Sequence, residues 1–479
     1  MFSKEAIIGT APFRRLAEGL EDLSAKQALR LRGLSGSLLA FAVATAFERS
    51  KRQVLVVAPD KDEAEKLRDD CTMLLGESAV RLAVAGPVHE AKLLDMSAPI
   101  AQLEALRSLS RGEAVVTVAS AEALASRVAP ADQLRRHSMD FATGSEYPFE
   151  KLLRTLDELG FQRSDFVGEY GDYAVRGGII DIFPFIGDNP LRFEFWGDAL
   201  ESIREFEAIS QRSIRELQSA AIVANVAPRE DDQEDGVSLL EYLSADAVVF
   251  LQEPILVQKE IEELIAEGWK QVVPWEELSE ALDGRKRIEH SSLFTSRDKL
   301  AVDFSAQPQP SFGGSVKQLI VQLSDLQNQG YAVAIACDTK EEAERLRELV
   351  EEESGRESVV SSQWSVVSGE ESEDGSQKSK VGDQERRTSN QQSSINNLQF
   401  ITDSYHSGFV YPAAKIALFT EHEIFGRLRR RGTAKRKRFK GISHKELQQL
   451  RKGDFVVHAD HGIGKFAGLQ KLRVRGVEQ

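Results

Sequence analysis

Two short runs of unbroken apolar residues constrain this chain more than anything else in it. Residues 53–58 read QVLVVA and residues 114–119 read AVVTVA. A strand with one wet face alternates apolar and polar side chains. An unbroken run of this length suits a strand covered on both faces, and in a parallel sheet helices supply that cover. Residues 60–74 follow the first run with helical spacing and acids in the first turn, where they favour the helix dipole. The second run also leads into a helix. The opening part of the chain is therefore expected to be α/β with a parallel sheet.

At 479 residues the chain is too long for one hydrophobic core, so three or more domains are expected. Residues 1–134 hold the first part of the α/β domain. Residues 135–222 place one helix, 149–159, ahead of several closely spaced strands and read as an α+β insertion. Residues 223–312 return to α/β, with a buried strand at 247–251, and complete the first domain. Residues 313–426 form a second, small α/β domain with a strand at 332–336, a helix at 340–352 and a return strand at 415–419. Within it, residues 354–397 are rich in Ser, Gln, Glu and Gly. Burial there cannot offset the entropy of ordering, so the stretch reads as a disordered loop. Trp364 with Val366 and Val367 is its one patch that could dock; the plainer reading is an incidental cluster.

Residues 427–448 read as a basic linker, and 427–440 hold nine Lys or Arg and no acid. Such a run could track phosphates at a cost in salt sensitivity. The competing reading is a solvated linker against an acidic surface of the same protein. Residues 449–479 begin like a small SH3-like β-barrel, GDFVVHADHGIGKFAGLQKL, and stop mid-pattern. On that ground the chain is expected to be a fragment of something longer.

Gly33-Leu34-Ser35-Gly36-Ser37-Leu38-Leu39-Ala40 precedes a helix in the α/β context. A phosphate-binding loop needs GxxxxGK[ST]: glycine for close backbone approach, lysine for the β/γ-phosphates, and a hydroxyl for magnesium. Leu38, Leu39 and Ala40 stand at those three positions. Gly33 and Gly36 remain, and the loop reads as a decayed, non-functional nucleotide site; an ordinary loop is the bland alternative. Gln252 stands where a metal-positioning carboxylate would end the strand at 248–251, and an amide lacks the charge a hard cation favours. Glu253 keeps one carboxylate beside it. An ordinary strand that never held a metal is an equal reading. Asp62-Glu63-Ala64-Glu65 resembles a helicase box but opens a helix. His458, Asp460 and His461 read as a turn between Gly-containing strands, not as metal ligands. No catalytic nucleophile set and no metal site are found.

Residues 173–198 form the second informative stretch, YAVRGGIIDIFPFIGDNPLRFEFWGD. Taking 191–196 as a strand of period two, Phe193 and Phe195 face a core, while Arg192, Glu194 and Trp196 face outward. Gly187-Asp188-Asn189-Pro190 separates this strand from an apolar one at 179–183, so the pair reads as a hairpin. Arg and Trp are over-represented at protein–protein hot spots. The alternative is an edge strand packed on its own neighbouring domain.

The net charge of −15 does not advertise nucleic acid, although a local basic patch can hide in an acidic total. Cys71 and Cys337 are far apart and lack metal-ligand spacing, which fits a reducing, cytoplasmic setting. No signal peptide and no apolar run of membrane-spanning length is present, so no membrane partner is expected.

The order of a lysine-less phosphate loop, GFQRSDFVGEYGDYAVRGGIIDIFPF, LRFEFWGDALESIREFEAISQRSI and GDFVVHADHGIGKFAGL resembles the bacterial transcription-repair coupling factor family. The resemblance covers essentially the whole chain. UvrB shares the first modules but keeps a working phosphate loop and lacks the GDFVVHADHGIG module. The resemblance implies a degenerate, RecA-like P-loop domain whose insertion recruits UvrA, with contacts on Arg176, Arg192 and Trp196. The last position is commonly Phe in the family. It implies the start of an RNA-polymerase-interaction domain near Gly453, directed at the β subunit and mostly truncated here.

It also implies a motor beyond this chain, an ATP-dependent DNA translocase. ATP, magnesium and most DNA contact belong to that motor, with no cofactor in this fragment. The family's C-terminal domain masks the UvrA surface, so a chain without it is expected to present that surface constitutively. The implied function is transcription-coupled nucleotide excision repair by binding rather than catalysis. The alternatives are a UvrB-like ATP-dependent helicase module and a stand-alone polymerase-binding regulator.

Overall fold

In the computed structural model, the apolar runs become the centre of a seven-stranded, all-parallel sheet. The structure describes residues 2–24, 27–84, 97–224, 236–269, 271–292, 301–364, 398–426, 451–458, 462–465, 473–474 and 477–478. Across the sheet the strands run Ala301–Asp303, Ala28–Arg32, Lys286–His290, Val248–Gln252, Val54–Ala58, Val116–Ser120 and Val80–Ala83. Val54–Ala58 and Val116–Ser120 are buried at every position, as strands covered on both faces must be. Gln53, just ahead of the first, is buried because both ends of its amide are used. Nε2 donates to the Leu109 carbonyl at 2.9 Å, and Oε1 accepts from the Ser244 N–H at 2.8 Å. Helix Lys61–Leu75 starts at Asp60, whose carboxylate accepts from the Glu63 N–H at 2.8 Å. Asp62 and Glu63 thus belong to a helix start.

The chain divides into two compact units, one of residues 1–127 and 237–430, the other of 128–236 and 431–479. The first unit also holds a mixed five-stranded sheet: Gln307–Pro308, Phe409–Tyr411, Ile416–Thr420, Ala332–Ala336 and Leu398–Ile401. One buried cluster spans both sheets of this unit. Phe41 packs on Tyr405 and Phe409, and Phe13 packs on Phe304 and Tyr411. Cys71 and Cys337 are free and buried, and burial pushes both thiol pKa values up.

The second unit is built on a six-stranded sheet ordered Ser213–Leu217, Ala199–Phe206, Leu191–Trp196, Ile179–Ile182, Asp172–Arg176 and Gln162–Arg163. All neighbours are antiparallel except the last pair. Helix Phe149–Glu158 buries Leu152 and Leu156 in a cluster with Phe193, Phe195, Ile180 and Ile203. A smaller cluster of Val167, Ala174, Phe183 and Phe206 forms apart from it. Ser138–Ala142 and Ser219–Val223 pair as a separate antiparallel ribbon.

One expectation is corrected. The helix that opens at Lys340 runs to Trp364, so residues 354–364 are helical where composition pointed to a disordered loop. The reason is local: Glu351, Glu352 and Glu353 are good helix formers, and the helix continues through Ser354, whose hydroxyl turns back onto the Val350 carbonyl at 2.6 Å instead of ending it. Residues 365–397, the basic run 427–440, Asp460 and His461 lie outside the described residues, as do the side chains of Trp364 and His458. Near the end, Phe455–His458 pairs antiparallel with Gly462–Lys465, and Arg473–Val474 with Val477–Glu478.

Candidate functional site

The hairpin of the six-stranded sheet sorts its side chains as a period of two requires. Leu191, Phe193 and Phe195 are buried, Arg192 and Glu194 are half-buried, and Trp196 is 79% exposed. Trp196 is so bare because it is the last residue before the two-residue turn Gly197-Asp198, pairing with Ala199 across it. The turn is anchored: the Asp198 carboxylate accepts from the Phe149 N–H at 2.9 Å, and its carbonyl accepts from the Tyr147 N–H at 2.7 Å.

Asp181 lies opposite Arg192 on the neighbouring strand and is only 1% exposed. A buried carboxylate must be paired, and this one is paired twice. Arg192 donates Nε to Oδ1 at 2.7 Å and Nη2 to Oδ2 at 2.9 Å, a bidentate fork. Arg176, from the strand on the other side, donates Nη2 to Oδ2 as well. Arg192 also stacks on Phe206, its guanidinium carbon 4.6 Å from the ring centroid, and Arg176 lies over Phe166 at 5.3 Å. The hydrogen bond to Asp181 raises the Arg192 pKa further. Glu194 is held by the Ser202 hydroxyl at 2.6 Å and by Arg204 at 3.4 Å.

The structure thus brings Arg176 and Arg192 together on one carboxylate. Trp196 shares their face, four positions along the strand from Arg192, about 13 Å at the usual rise. Sequence reasoning missed Asp181. Its signal was a lone acid in an apolar strand, Ile179-Ile180-Asp181-Ile182, one hairpin partner from an arginine.

The phosphate-loop residues occupy a different place, in the first unit. Gly33 and Gly36 adopt positive φ, +65° and +53°, in the turn from strand Ala28–Arg32 into helix Leu38–Ser50. Leu38, Leu39 and Ala40 form the first turn of that helix and are buried. The loop is filled by the chain itself. The Ser37 N–H donates to the Ser407 carbonyl at 3.0 Å, and the Ser407 N–H donates to the Ser37 hydroxyl at 3.0 Å. A Cβ on Gly36 would overlap the carbonyl oxygens of Ser407 and Gly408. Beside this crossing, buried Asp70 accepts from the His406 N–H at 3.0 Å and meets its ring Nδ1 at 3.1 Å. The next N–H groups turn back on the loop: Leu38 to Ser35, Leu39 to Gly36, Ala40 to Ser37.

At the C-terminal end of strand Val248–Gln252, two strands away in the sheet, Glu253 is also engaged. It accepts from the Ser291 hydroxyl at 2.7 Å and the Ser292 N–H at 2.9 Å. Beside Gln252 in the sheet sits His290, buried at the C-terminal end of its strand. Burial pushes its pKa down, against opposing pulls from Glu253 and from a hydrogen bond with the Leu34 backbone.

These features describe an α/β scaffold whose inserted sheet carries an arginine–tryptophan face, and comparison with known proteins assigns the insertion. Residues 139–227 match the UvrB interaction domain family, and residues 450–479 match the CarD-like/TRCF RID domain family. The chain is 22% identical to the transcription-repair-coupling factor of Bacillus subtilis over 98% of its own length. It is 25% identical to that of Myxococcus xanthus over 97% of its length. The chain is a homologue of the transcription-repair-coupling factors. It spans 44% of the length of each of these two relatives.

Proposed function

We propose that the chain is the repair-recruiting arm of a transcription-repair coupling factor. In this reading residues 135–222 bind UvrA through the face of Arg176, Arg192 and Trp196. They bring it to RNA polymerase stalled at a DNA lesion in transcription-coupled nucleotide excision repair. Residues 1–134 and 223–312 are a RecA-like nucleotide domain that has lost its chemistry, and 313–426 the small α/β domain that closes it. Residues 449–479 begin the RNA-polymerase-interaction domain, an SH3-like barrel for the β subunit. ATP, magnesium and DNA translocation belong to the motor of the full-length protein, which works in the cytoplasm. Among the described residues no helix is long and apolar enough to cross a membrane.

The observation that carries the reading is Trp196, 79% exposed on the same sheet face as the paired guanidinium groups, inside the segment that matches the UvrB interaction domain. An exposed aromatic flanked by arginines suits an acidic, partly apolar partner surface. A UvrB-like helicase that uses ATP itself is disfavoured by Leu39 in the lysine position and by the Ser407 carbonyl bonded to the Ser37 N–H. A pull-down of purified UvrA by the chain, without ATP, tests the proposal. Capture is expected, and no capture ends it.

A further inference from the structure

The docking face carries two guanidinium groups and, bonded to both, one buried carboxylate. The two cations are not equivalent. Arg192 commits Nε and Nη2 to Asp181, shares Nη2 with the Gln211 side chain at 3.3 Å and stacks on Phe206. Its side chain is 18% exposed, against 40% for Arg176, which gives Asp181 one nitrogen. Arg176 is also the closer cation to Trp196 along the strand direction. Register places it beside Ile179, itself beside Glu194, so the two lie two strands apart and two residues out of step. That is about 10 Å across and about 7 Å along, a patch one partner loop can cover.

We propose that Asp181 is the positioning residue of this face. It holds Arg176 in place to meet an acidic group on UvrA while Trp196 fills an apolar recess. Arg192 also braces Asp181 as a strut from the opposite strand. The proposal rests on the UvrA-binding reading above. Its physical basis is preorganisation: an arginine already fixed by a buried carboxylate loses less freedom on binding than a loose one.

Asp181→Asn keeps the shape and removes the charge. If the face worked only as a field of positive charge, this variant would bind UvrA more tightly, most of all at low salt. Positioning gives the opposite sign, binding weakened by about tenfold despite the more favourable charge. Arg176→Gln is then expected to weaken binding about tenfold in the parent chain and far less in the Asp181→Asn background, since contacts that share a partner are not additive.

In the free chain, the Arg192 Nε–H is expected to be protected from solvent exchange, and to lose that protection in Asp181→Asn. Unchanged or tighter binding by Asp181→Asn, or an equal Arg176→Gln penalty in both backgrounds, overturns the proposal. Should Asp181→Asn fail to fold, Arg176→Lys tests the same idea at an exposed position: it keeps the charge and loses the guanidinium that bonds Asp181 through one nitrogen while leaving other N–H groups for the partner, and undiminished UvrA binding overturns the proposal. A parent chain that does not bind UvrA at all removes the adaptor reading and this proposal with it. Arg192 exchange protection still reports in that case whether Asp181 holds the strut.

Discussion

Ser37 and Ser407 exchange two hydrogen bonds: the backbone N–H of Ser37 to the carbonyl of Ser407, and the N–H of Ser407 to the hydroxyl of Ser37, each 3.0 Å. In a working phosphate loop such N–H groups are aimed at an anion. Here a carbonyl oxygen of the chain, itself a partial negative charge, takes that place, and no cation is needed to balance it.

Placing a phosphate-loop lysine and hydroxyl here is therefore not expected to create a nucleotide site. In Leu39→Lys with Ala40→Thr, the ammonium would enter a position that is 7% exposed and part of the apolar cluster. Isothermal titration with magnesium-ATP is expected to show no binding. Chemical denaturation is expected to show a loss of about 3 kcal/mol, the scale of an unpaired buried charge. Saturable ATP binding by the double variant would show that residues 405–408 do not fill the loop in solution.

Gly36 is predicted to be the least replaceable residue of the loop. Its φ of +53° disfavours any side chain, and a Cβ would strike the Ser407 carbonyl at 2.8 Å. Gly36→Ala is expected to cost about 2–3 kcal/mol in urea denaturation, combining backbone strain with displacement of residues 407–408. Gly112→Ala, also at positive φ but with open space around its Cβ, is the comparison that isolates the strain and is expected to cost less.

The sequence revealed what depends on neighbours and hid what depends on distance. The parallel sheet was legible because QVLVVA and AVVTVA are almost wholly apolar, and their strands are buried at every position. The hairpin was legible because Phe193 and Phe195 alternate with Arg192 and Glu194. The filling of the loop was not, because Ser407 lies 370 positions from Ser37 and neither residue carries a local signal of the other. Asp181 was missed because the strand at 179–183 was read as apolar throughout. Arg192, read from its period as an outward contact, is tied to a carboxylate on the next strand. A charge reversal there would set two carboxylates together and unsettle the sheet itself. Helix Lys340–Trp364 was cut short because polar composition was read as absence of structure.

Trp196 and Phe193 are two positions apart in sequence but are set apart by burial. Trp196→Ala removes a ring that is 79% exposed, so the folding stability from urea denaturation is expected to stay within about 0.5 kcal/mol of the parent's. UvrA affinity is expected to fall by about 2 kcal/mol, on the scale of a hot-spot aromatic. Phe193→Ala, fully buried against Phe141 at 5.0 Å, is expected to cost about 3–5 kcal/mol of folding stability. Equal stability losses for the two would mean that Trp196 is packed in solution and the docking face is not open.

His290 gives the first unit a pH dependence whose sign follows from its burial. The folded-state pKa lies below the ordinary value of 6.5, burial being the largest cause, so the unfolded chain binds the proton more readily than the folded one. Stability is then fully present above pH 6.5 and is lost as pH falls through that value toward the folded pKa. Glu253 pulls the histidine pKa the other way, and Glu253→Gln is accordingly expected to steepen the loss. His290→Phe, which keeps a ring in the buried site and cannot titrate, is expected to flatten the profile. Urea midpoints at about pH 5.5 and 7.5 measure it: a larger midpoint at the lower pH in the parent, or the same slope in His290→Phe, would mean that another group carries the dependence.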